Sequence, residues 1–440
     1  MKKVLIIGFG ISGQSVSRFF LKRGYVVTAL DAKGDALRAA QVPNLEILSD
    51  QTLFRSLKEF ESVVVSPGIA PSHPIYVQAL KEGIEIVGEI ELALRYLDQR
   101  LMGITGTNGK TTVTLLIAHV LNQSGILAKA LGNIGTPLID YVDAHSSKEV
   151  LIVELSSYQL ETLRKKAFDI GLILNITPDH LDRYSSMEEY ALAKCRLKEC
   201  IKEGGLFYVH EKIKKAYGYL LENSSYRTFG QEKTAYFWTD RGAIYREGAI
   251  ETILPLRYRE YGAHESENCI AAWAVCKEFG VTPEQFLSAL ETFKKPAHRI
   301  EFVKEIEGIS FYDDSKGTNI DASIQAVLSM KGHTILIAGG VDKGASYIPW
   351  RKAFKDRVKQ VFAIGQAAPN IYRELNGFVK VRIISTLSEA VHEAFMAAER
   401  GDNVLLSPGC SSFDMFRDYA HRGEEFQHHI NDLEERRKKA

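Results

Sequence analysis

The sequence predicts an α/β protein organised in three blocks, with mainly parallel sheets. Three observations carry the prediction. Apolar runs of strand length alternate with helical periodicity almost throughout, the pattern of βαβ units. Two glycine-rich turns, near residues 8 and 106, each sit between an apolar run and a helical pattern. The chain has 440 residues, enough for two to four domains at roughly 100–200 residues each.

The first block opens with the apolar run Val4–Ile7, read as a buried strand. Gly8, Gly10 and Gly13 follow in the order G-x-G-x-x-G, and then an amphipathic helix. The next apolar run, Tyr25–Leu30, ends in Asp31. This is the form of a dinucleotide-binding unit. Glycines allow the tight turn, helix amides meet phosphate, and the acid meets ribose. The later strand SVVVSPGI ends in Ser66-Pro67-Gly68, at the carboxyl end of a strand, where open α/β sheets bind ligands. The block runs to about Leu92.

The second block starts at Ala93 and contains the strands LMGIT, EVLIVE and IGLILNI. Residues 205–260 look different: GLFYV, TAYFWT and GAIYREGAI read as short strands with an antiparallel character. The helix ESENCIAAWAVCKEFG ends at Gly280, a C-cap signal. The third block opens at KKPAHRIEF. Strands are expected at GISFYDD, TILIAGG, QVFAIG, VRIIS and NVLLSPG, another doubly wound pattern.

Composition narrows the function. Lys+Arg and Asp+Glu balance at 55 each, so nothing favours electrostatic binding to nucleic acid or to an anionic membrane. The five cysteines form no CxxC pair, which argues against a disulfide framework or a zinc site. Gly8 interrupts the first apolar run too early for a signal peptide. No apolar run approaches the roughly 18 residues of a membrane span. A soluble cytoplasmic protein is expected.

The second glycine turn carries the strongest chemical signal. Gly106-Thr107-Asn108-Gly109-Lys110-Thr111-Thr112 lies between a strand and a helix. Its amides can cradle phosphate, Lys110 can reach the terminal phosphates of ATP, and Thr111 can hold Mg²⁺. Ile104 stands where the general P-loop pattern has its first glycine. Glu154 closes the run Val150–Val153, at a strand end where a metal-binding acid is expected. NITPDHLDRY supplies Asp179, His180 and Asp182 on the next loop. In SMEEYALAKCRLKECI the apolar stripe is Met187, Tyr190, Ala191, Leu197 and Ile201. Lys194 falls on that stripe, while Lys198 and Lys202 lie towards the other face. A desolvated lysine has a lowered pKa. Its neutral amine can form a carbamate with CO₂, an anionic metal ligand; the alternative is a lysine that snorkels to solvent.

The stretches GTNGKTT, GNIGTP, ELSSYQLE, NITPDHLDRY, YALAKCRLKE, HRIE, DDSKGTN, GGVDKG and SPGCSSFD occur here in the order seen in the Mur ligases. The resemblance covers essentially the whole chain. It implies a Rossmann-like UDP-sugar domain over 1–92, a central P-loop ATPase-type domain over 93–295, and a Rossmann-like amino-acid domain over 296–440. Within the family, the chain most resembles the branch that joins D-glutamate to UDP-N-acetylmuramoyl-L-alanine, using ATP and two Mg²⁺ ions, as a monomer. The glycine turn near residue 8 would then hold a uridine nucleotide. The resemblance implies that Ser12, Gly13, Asp31, Lys33, Ser66, Pro67 and Gly68 meet this substrate, and that Asn133 meets its reacting end. ATP would lie on residues 106–112 with Asn268, Arg299 and Asp314. Thr111, Glu154, His180 and a carbamylated Lys194 would hold the metals. Lys110, Asn133, His180 and Lys194 would form the catalytic set. Lys316, Thr318, Lys343, Ser412 and Tyr419 would surround D-glutamate. Glu265 departs from the family's usual asparagine in HESEN, and a carboxylate there could accept a bond from the adenine amino group.

Overall fold

The computed structural model describes residues 1–32, 42–143, 148–260 and 263–439. The predicted α/β architecture is present, with three sheets in chain order. The first contains β1 (Lys3–Ile7), β2 (Val26–Asp31), β3 (Leu45–Ser49), β4 (Ser62–Val65) and β5 (Glu85–Gly88), all parallel, in the order β3-β2-β1-β4-β5. The order reverses at β1, so the glycine turn after it opens at the topological switch point.

The second sheet has nine strands: β6 (Leu101–Thr105), β7 (Ala128–Gly132), β8 (Val150–Glu154), β9 (Phe168–Ile173), β10 (Ile201–His210), β11 (Arg227–Gly230), β12 (Phe237–Asp240), β13 (Ala243–Arg246) and β14 (Ala249–Ile253). Their order is β14-β13-β12-β11-β10-β9-β6-β8-β7. Residues 205–260 divide: β10, β11 and β12 pair in parallel, and only β12-β13-β14 are antiparallel. The stretch GAIYREGAI forms two strands, not one. Glu247 and Gly248, with φ of 49° and 87°, make the reversal between them, as in a tight hairpin turn.

The third sheet has β15 (Glu301–Ile306), β16 (Ile309–Asp313), β17 (Thr334–Gly339), β18 (Val358–Ile364), β19 (Lys380–Ile383) and β20 (Asn403–Leu406), in the order β15-β16-β20-β17-β18-β19. It is parallel except for the antiparallel edge strand β15.

One expectation about the Lys194 segment needs correction. The α-helix covers Met187–Cys195, a 3₁₀ turn covers Arg196–Cys200, and Ile201 begins β10. Ile201 therefore serves the sheet, where it packs against Gly171. Lys202 is on β10 and pairs with Asp169 at 3.0 Å. Lys198 is half-buried, and its ammonium donates to the carbonyls of Leu220 and Glu222. Lys194 is buried, so of the two readings the snorkelling one is not what the structure shows. The helix Ala263–Cys276 continues as a 3₁₀ turn and stops at Gly280, whose φ is 78°. No helix among the described residues is long and apolar enough to cross a membrane.

Candidate active site

Parallel strands aim their carboxyl ends the same way, so the loops after β6, β8 and β9 collect at one edge of the central sheet. The loops after β16, β17 and β20 face them from the third sheet. The chemistry-bearing residues converge at this seam.

The loop after β6 is braced by a residue the motif does not contain. Asn175, just past β9, accepts through Oδ1 from the amides of Thr107 and Asn108, and donates to the Asn108 carbonyl. Gly109 is the N-cap of the helix Lys110–Gln123, with φ of 82°. A Cβ there would lie 2.6 Å from Asn268 Oδ1, so glycine lets Asn268 approach the helix N-terminus. That terminus has no side-chain cap, which leaves amides to meet an anion.

Two amines converge on one carbonyl. Lys110 Nζ donates to Gly106 O and Thr107 O, both at 2.9 Å, and Lys194 Nζ donates to the same Gly106 O at 2.8 Å. Burial pushes the Lys110 ammonium below its usual pKa, and Arg299 and Lys316 push the same way. Burial, then the Lys110 charge, holds Lys194 far below the lysine range. Two cations sharing a dry acceptor repel, and loss of one proton relieves the repulsion.

Glu154, 2% exposed at the end of β8, accepts from Asn133 Nδ2 at 3.1 Å through Oε1. Its Oε2 is buried with no hydrogen-bond partner. A buried carboxyl oxygen left bare in this way fits a cation. His180, at φ 57°, places Nδ1 2.7 Å from the Tyr158 hydroxyl. Burial lowers its pKa to about 4, with Lys343, Lys194 and Lys110 adding to the effect against Asp179. The ring is neutral at pH 7 and keeps a lone pair for a metal. The Glu154 carboxylate and a carbamate on Lys194 would give the oxygen donors that Mg²⁺ takes, with the neutral imidazole as a nitrogen ligand beside them.

A cavity of about 380 Å³ joins the central and third sheets, lined among others by Asn108, Gly109, Asn268, Arg299, Asp314 and Lys316. Arg299 Nε is buried without a partner. Asp314 accepts from the Ser407 hydroxyl at 2.7 Å, and burial raises its carboxyl to about 7. Glu265, in the cavity wall, receives Lys295 Nζ at 2.7 Å. Burial opposes its ionisation, but His264 and Lys295 overcome this and lower its pKa to about 2. It is therefore a fixed acceptor.

In the third sheet's loops, Lys316 Nζ lies 3.5 Å from the centre of the Tyr419 ring. Burial, then Arg299, lowers its pKa to about 8. Thr318 is half-buried on the same loop, and Ser412 is buried beyond β20. No helix starts at Ser412; residues 412–416 form a turn on its carbonyl, and Tyr419 opens the last helix. Lys343 is engaged elsewhere, paired with the buried Asp179 at 2.9 Å. Asn319 and Asp321 also reach across the seam, to Asn108. Asn175 and Asp179 lie on a loop, Asn319 caps the helix Ile320–Ser329 and Asp321 lies in its first turn; their partners are far along the chain, beyond the reach of local spacing. Arg422, 1% exposed, ties Ser315 O to Cys410 O and so links two of these loops. His298, Glu301 and Asp313 cluster closely, but His298 Nδ1 and Gln427 already bond Asp313.

The first sheet carries its own ligand turn. Gly8 has φ of 86°, a Cβ on Gly13 would strike Gly8 O at 2.1 Å, and space is open beside Gly10. The three glycines thus divide the work of turning, admitting a ligand and packing helix on strand. Ser66 donates to Gly8 O at 2.8 Å, and Asp31 accepts from Phe9 N at 2.8 Å. Ser12, Pro67 and Gly68 flank this turn at partly or fully exposed positions. Lys33 lies outside the described residues. Ser66 and Pro67 also line a narrow cleft with Tyr158, Glu161 and Arg183, which connects this turn to the surroundings of His180.

Comparison with known proteins agrees along the whole length. Residues 2–88 match the Mur ligase MurD-like N-terminal domain, 104–276 the Mur ligase middle domain, and 298–410 the Mur ligase glutamate ligase domain. The chain is 47% identical over 433 residues to the UDP-N-acetylmuramoylalanine–D-glutamate ligase of Protochlamydia amoebophila, covering 97% of each. It is 39% identical to the enzyme of that name from Caldicellulosiruptor saccharolyticus, over 98% of this chain and 99% of that one. Among solved structures, the UDP-N-acetylmuramate–alanine ligase MurC of Thermotoga maritima superposes with a TM-score of 0.62 at 18% identity, covering 98% and 100%. The MurF ligase of the same organism, in complex with ADP, gives 0.57 at 17%, covering 86% and 96%. These two likenesses speak for the fold.

Proposed function

The chain belongs to the Mur ligase family, and from that premise we propose that it joins D-glutamate to UDP-N-acetylmuramoyl-L-alanine, with ATP, in peptidoglycan precursor synthesis. The observation that carries the chemistry is the meeting of Lys110 and Lys194 on Gly106 O, in a cluster that also holds the bare Glu154 Oε2. ATP turns the alanyl carboxylate, whose own leaving group is poor, into an acyl phosphate. The amine of D-glutamate attacks it, and phosphate leaves.

This reading gives each residue a role. Residues 106–112, Asn268, Arg299 and Asp314 bind ATP, with the unpartnered Arg299 Nε available to a phosphate. Lys110 stabilises charge on the transferring group. Thr111, Glu154, His180 and carbamylated Lys194 hold two Mg²⁺, which when bound neutralise phosphate charge. Ser12, Gly13, Asp31, Lys33 and residues 66–68 hold the UDP moiety, and Asn133, fixed by Glu154, meets its reacting end. Lys316, Thr318, Lys343, Ser412 and Tyr419 hold D-glutamate. Residues 1–92, 93–295 and 296–440 are the three working units of a monomer. The reaction belongs in the cytoplasm.

Phosphate release with UDP-N-acetylmuramoyl-L-alanine, measured against a panel of D- and L-amino acids, tests the reading. D-Glutamate should stand alone in supporting turnover. Equal rates with another amino acid would overturn the specificity, and tight binding of NAD without response to UDP would overturn the first site.

A further inference from the structure

We propose that Tyr158 is a positioning residue: its phenol oxygen supplies the acceptor that His180 needs in order to present Nε2 to a cation. The inference rests on reading His180 as a metal ligand. Tyr158 Oη lies 2.7 Å from His180 Nδ1, and the two rings meet edge-on, 5.0 Å apart. On the other side of the imidazole, Nε2 is 3.7 Å from Asp179 Oδ2, too far for a hydrogen bond.

A neutral imidazole has one N–H. When Nδ1 carries it, it donates to the Tyr158 oxygen, and Nε2 keeps its lone pair. When Nε2 carries it, that nitrogen lies nearest the Asp179 carboxylate, the phenol O–H donates to the bare Nδ1 instead, and no lone pair remains for a metal. Asp179 therefore favours the tautomer that cannot ligate. Without the phenol oxygen the ligating tautomer would also leave Nδ1–H unpaired in a partly buried site. A partner on the far nitrogen of a ligating histidine commonly sets its tautomer and orientation.

Tyr158 is itself held in place. The Arg183 guanidinium lies 4.5 Å from the centre of its ring. Arg183 is fixed by Glu161 at 2.7 Å, and Tyr184, stacked 6.0 Å from Tyr158, donates to the same carboxylate at 2.6 Å. The phenol is thus braced through Glu161, Arg183 and Tyr184, and it belongs to the helix Ser157–Glu161, directly after the loop that follows β8.

The test compares wild type with Tyr158→Phe, which keeps the ring, and with His180→Gln. Two quantities are read on the full chain with a non-hydrolysable ATP analogue: Mn²⁺ affinity by electron paramagnetic resonance, and the His180 tautomer by long-range ¹H–¹⁵N correlation. In wild type, Nδ1 should carry the proton. In Tyr158→Phe the population should move to Nε2–H, and Mn²⁺ affinity should fall about tenfold, the lower end of the range for losing such a partner. An unchanged tautomer and unchanged affinity in Tyr158→Phe, with affinity lost in His180→Gln, would overturn the role of Tyr158 and leave the ligand reading standing. Unchanged affinity in His180→Gln would remove the ligand reading itself, and the proposal with it.

Discussion

The two seams of this molecule are built differently. Between the first and central sheets one apolar core runs unbroken: Val4, Ile6 and Phe19 share a buried cluster with Leu138, Ile139 and Leu151. Glu89 accepts from Ile139 N, and Glu91 from the amides of Arg164 and Lys165. Between the central and third sheets the cross-contacts named above are polar. Lys343 meets Asp179, Asn319 and Asp321 meet Asn108, and a cavity separates the rest. The buried apolar clusters do not cross this seam: that of the central sheet reaches Phe293 along the chain, and those of the third sheet begin at Ile306 and Ile320. Apolar burial contributes only while the surfaces stay together. A hydrogen bond exchanged for water costs about 0.5–1.5 kcal/mol net. The first seam is therefore held by burial, and the second by contacts that water can replace.

The sharpest way to break this comparison is to hit chemistry without touching the apolar seam. Lys194→Ala should lower kcat on the order of 10³-fold, the scale of losing a key electrostatic group, while the thermal midpoint moves little. Acetate should restore part of the rate by filling the vacated ligand position. An active Lys194→Ala enzyme would place the chemistry elsewhere. The converse is Ile139→Ala in the shared core. Denaturant unfolding should show a loss of about 2–5 kcal/mol, with kcat for the remaining folded enzyme nearly unchanged.

The polar seam should respond in binding. Lys343→Ala should raise the KM for D-glutamate about tenfold, as loss of a charge-assisted partner does. It should also increase the radius of gyration of the ligand-free enzyme in solution scattering. If neither changes, Lys343 neither holds the seam nor meets the substrate. A smaller effect is expected from pH. The Lys316 ammonium, with a pKa lowered to about 8, is charged below that pH and neutral above it. The KM for D-glutamate should be flat below pH 8 and rise as pH climbs through it; a fall would contradict a cationic role. The least effect belongs to Arg18→Ala. Its pairing with Asp140 spans the apolar seam, but the side chain is 56% exposed, so less than about 1 kcal/mol of stability should be lost.

Much of this was legible because burial leaves a mark on sequence. The runs Val4–Ile7, Val150–Val153 and Ile335–Ala338 are apolar on both faces, as parallel strands between helices must be. Lys194 was visible because a lysine on an apolar helical stripe is out of place. The same reasoning failed at Ile201, where a residue in helical register was claimed by a strand, and at Glu247-Gly248, where a turn interrupts an apolar pattern. Asn175, Tyr158 and Asp179 were illegible as braces. Each is a polar loop or helix-end residue, and its partner is set by tertiary approach rather than by spacing.

The unbroken core has a consequence for how such a chain can be recombined. A cut near residue 97 would strip Leu92, Leu94 and Leu97 from Leu138 and Ile139, and each fragment would carry an oily, sticky face. The region beyond residue 300 keeps its apolar clusters to itself. Gene exchange could replace that region while leaving the apolar clusters of the other two sheets intact. The first and central sheets would have to be inherited together.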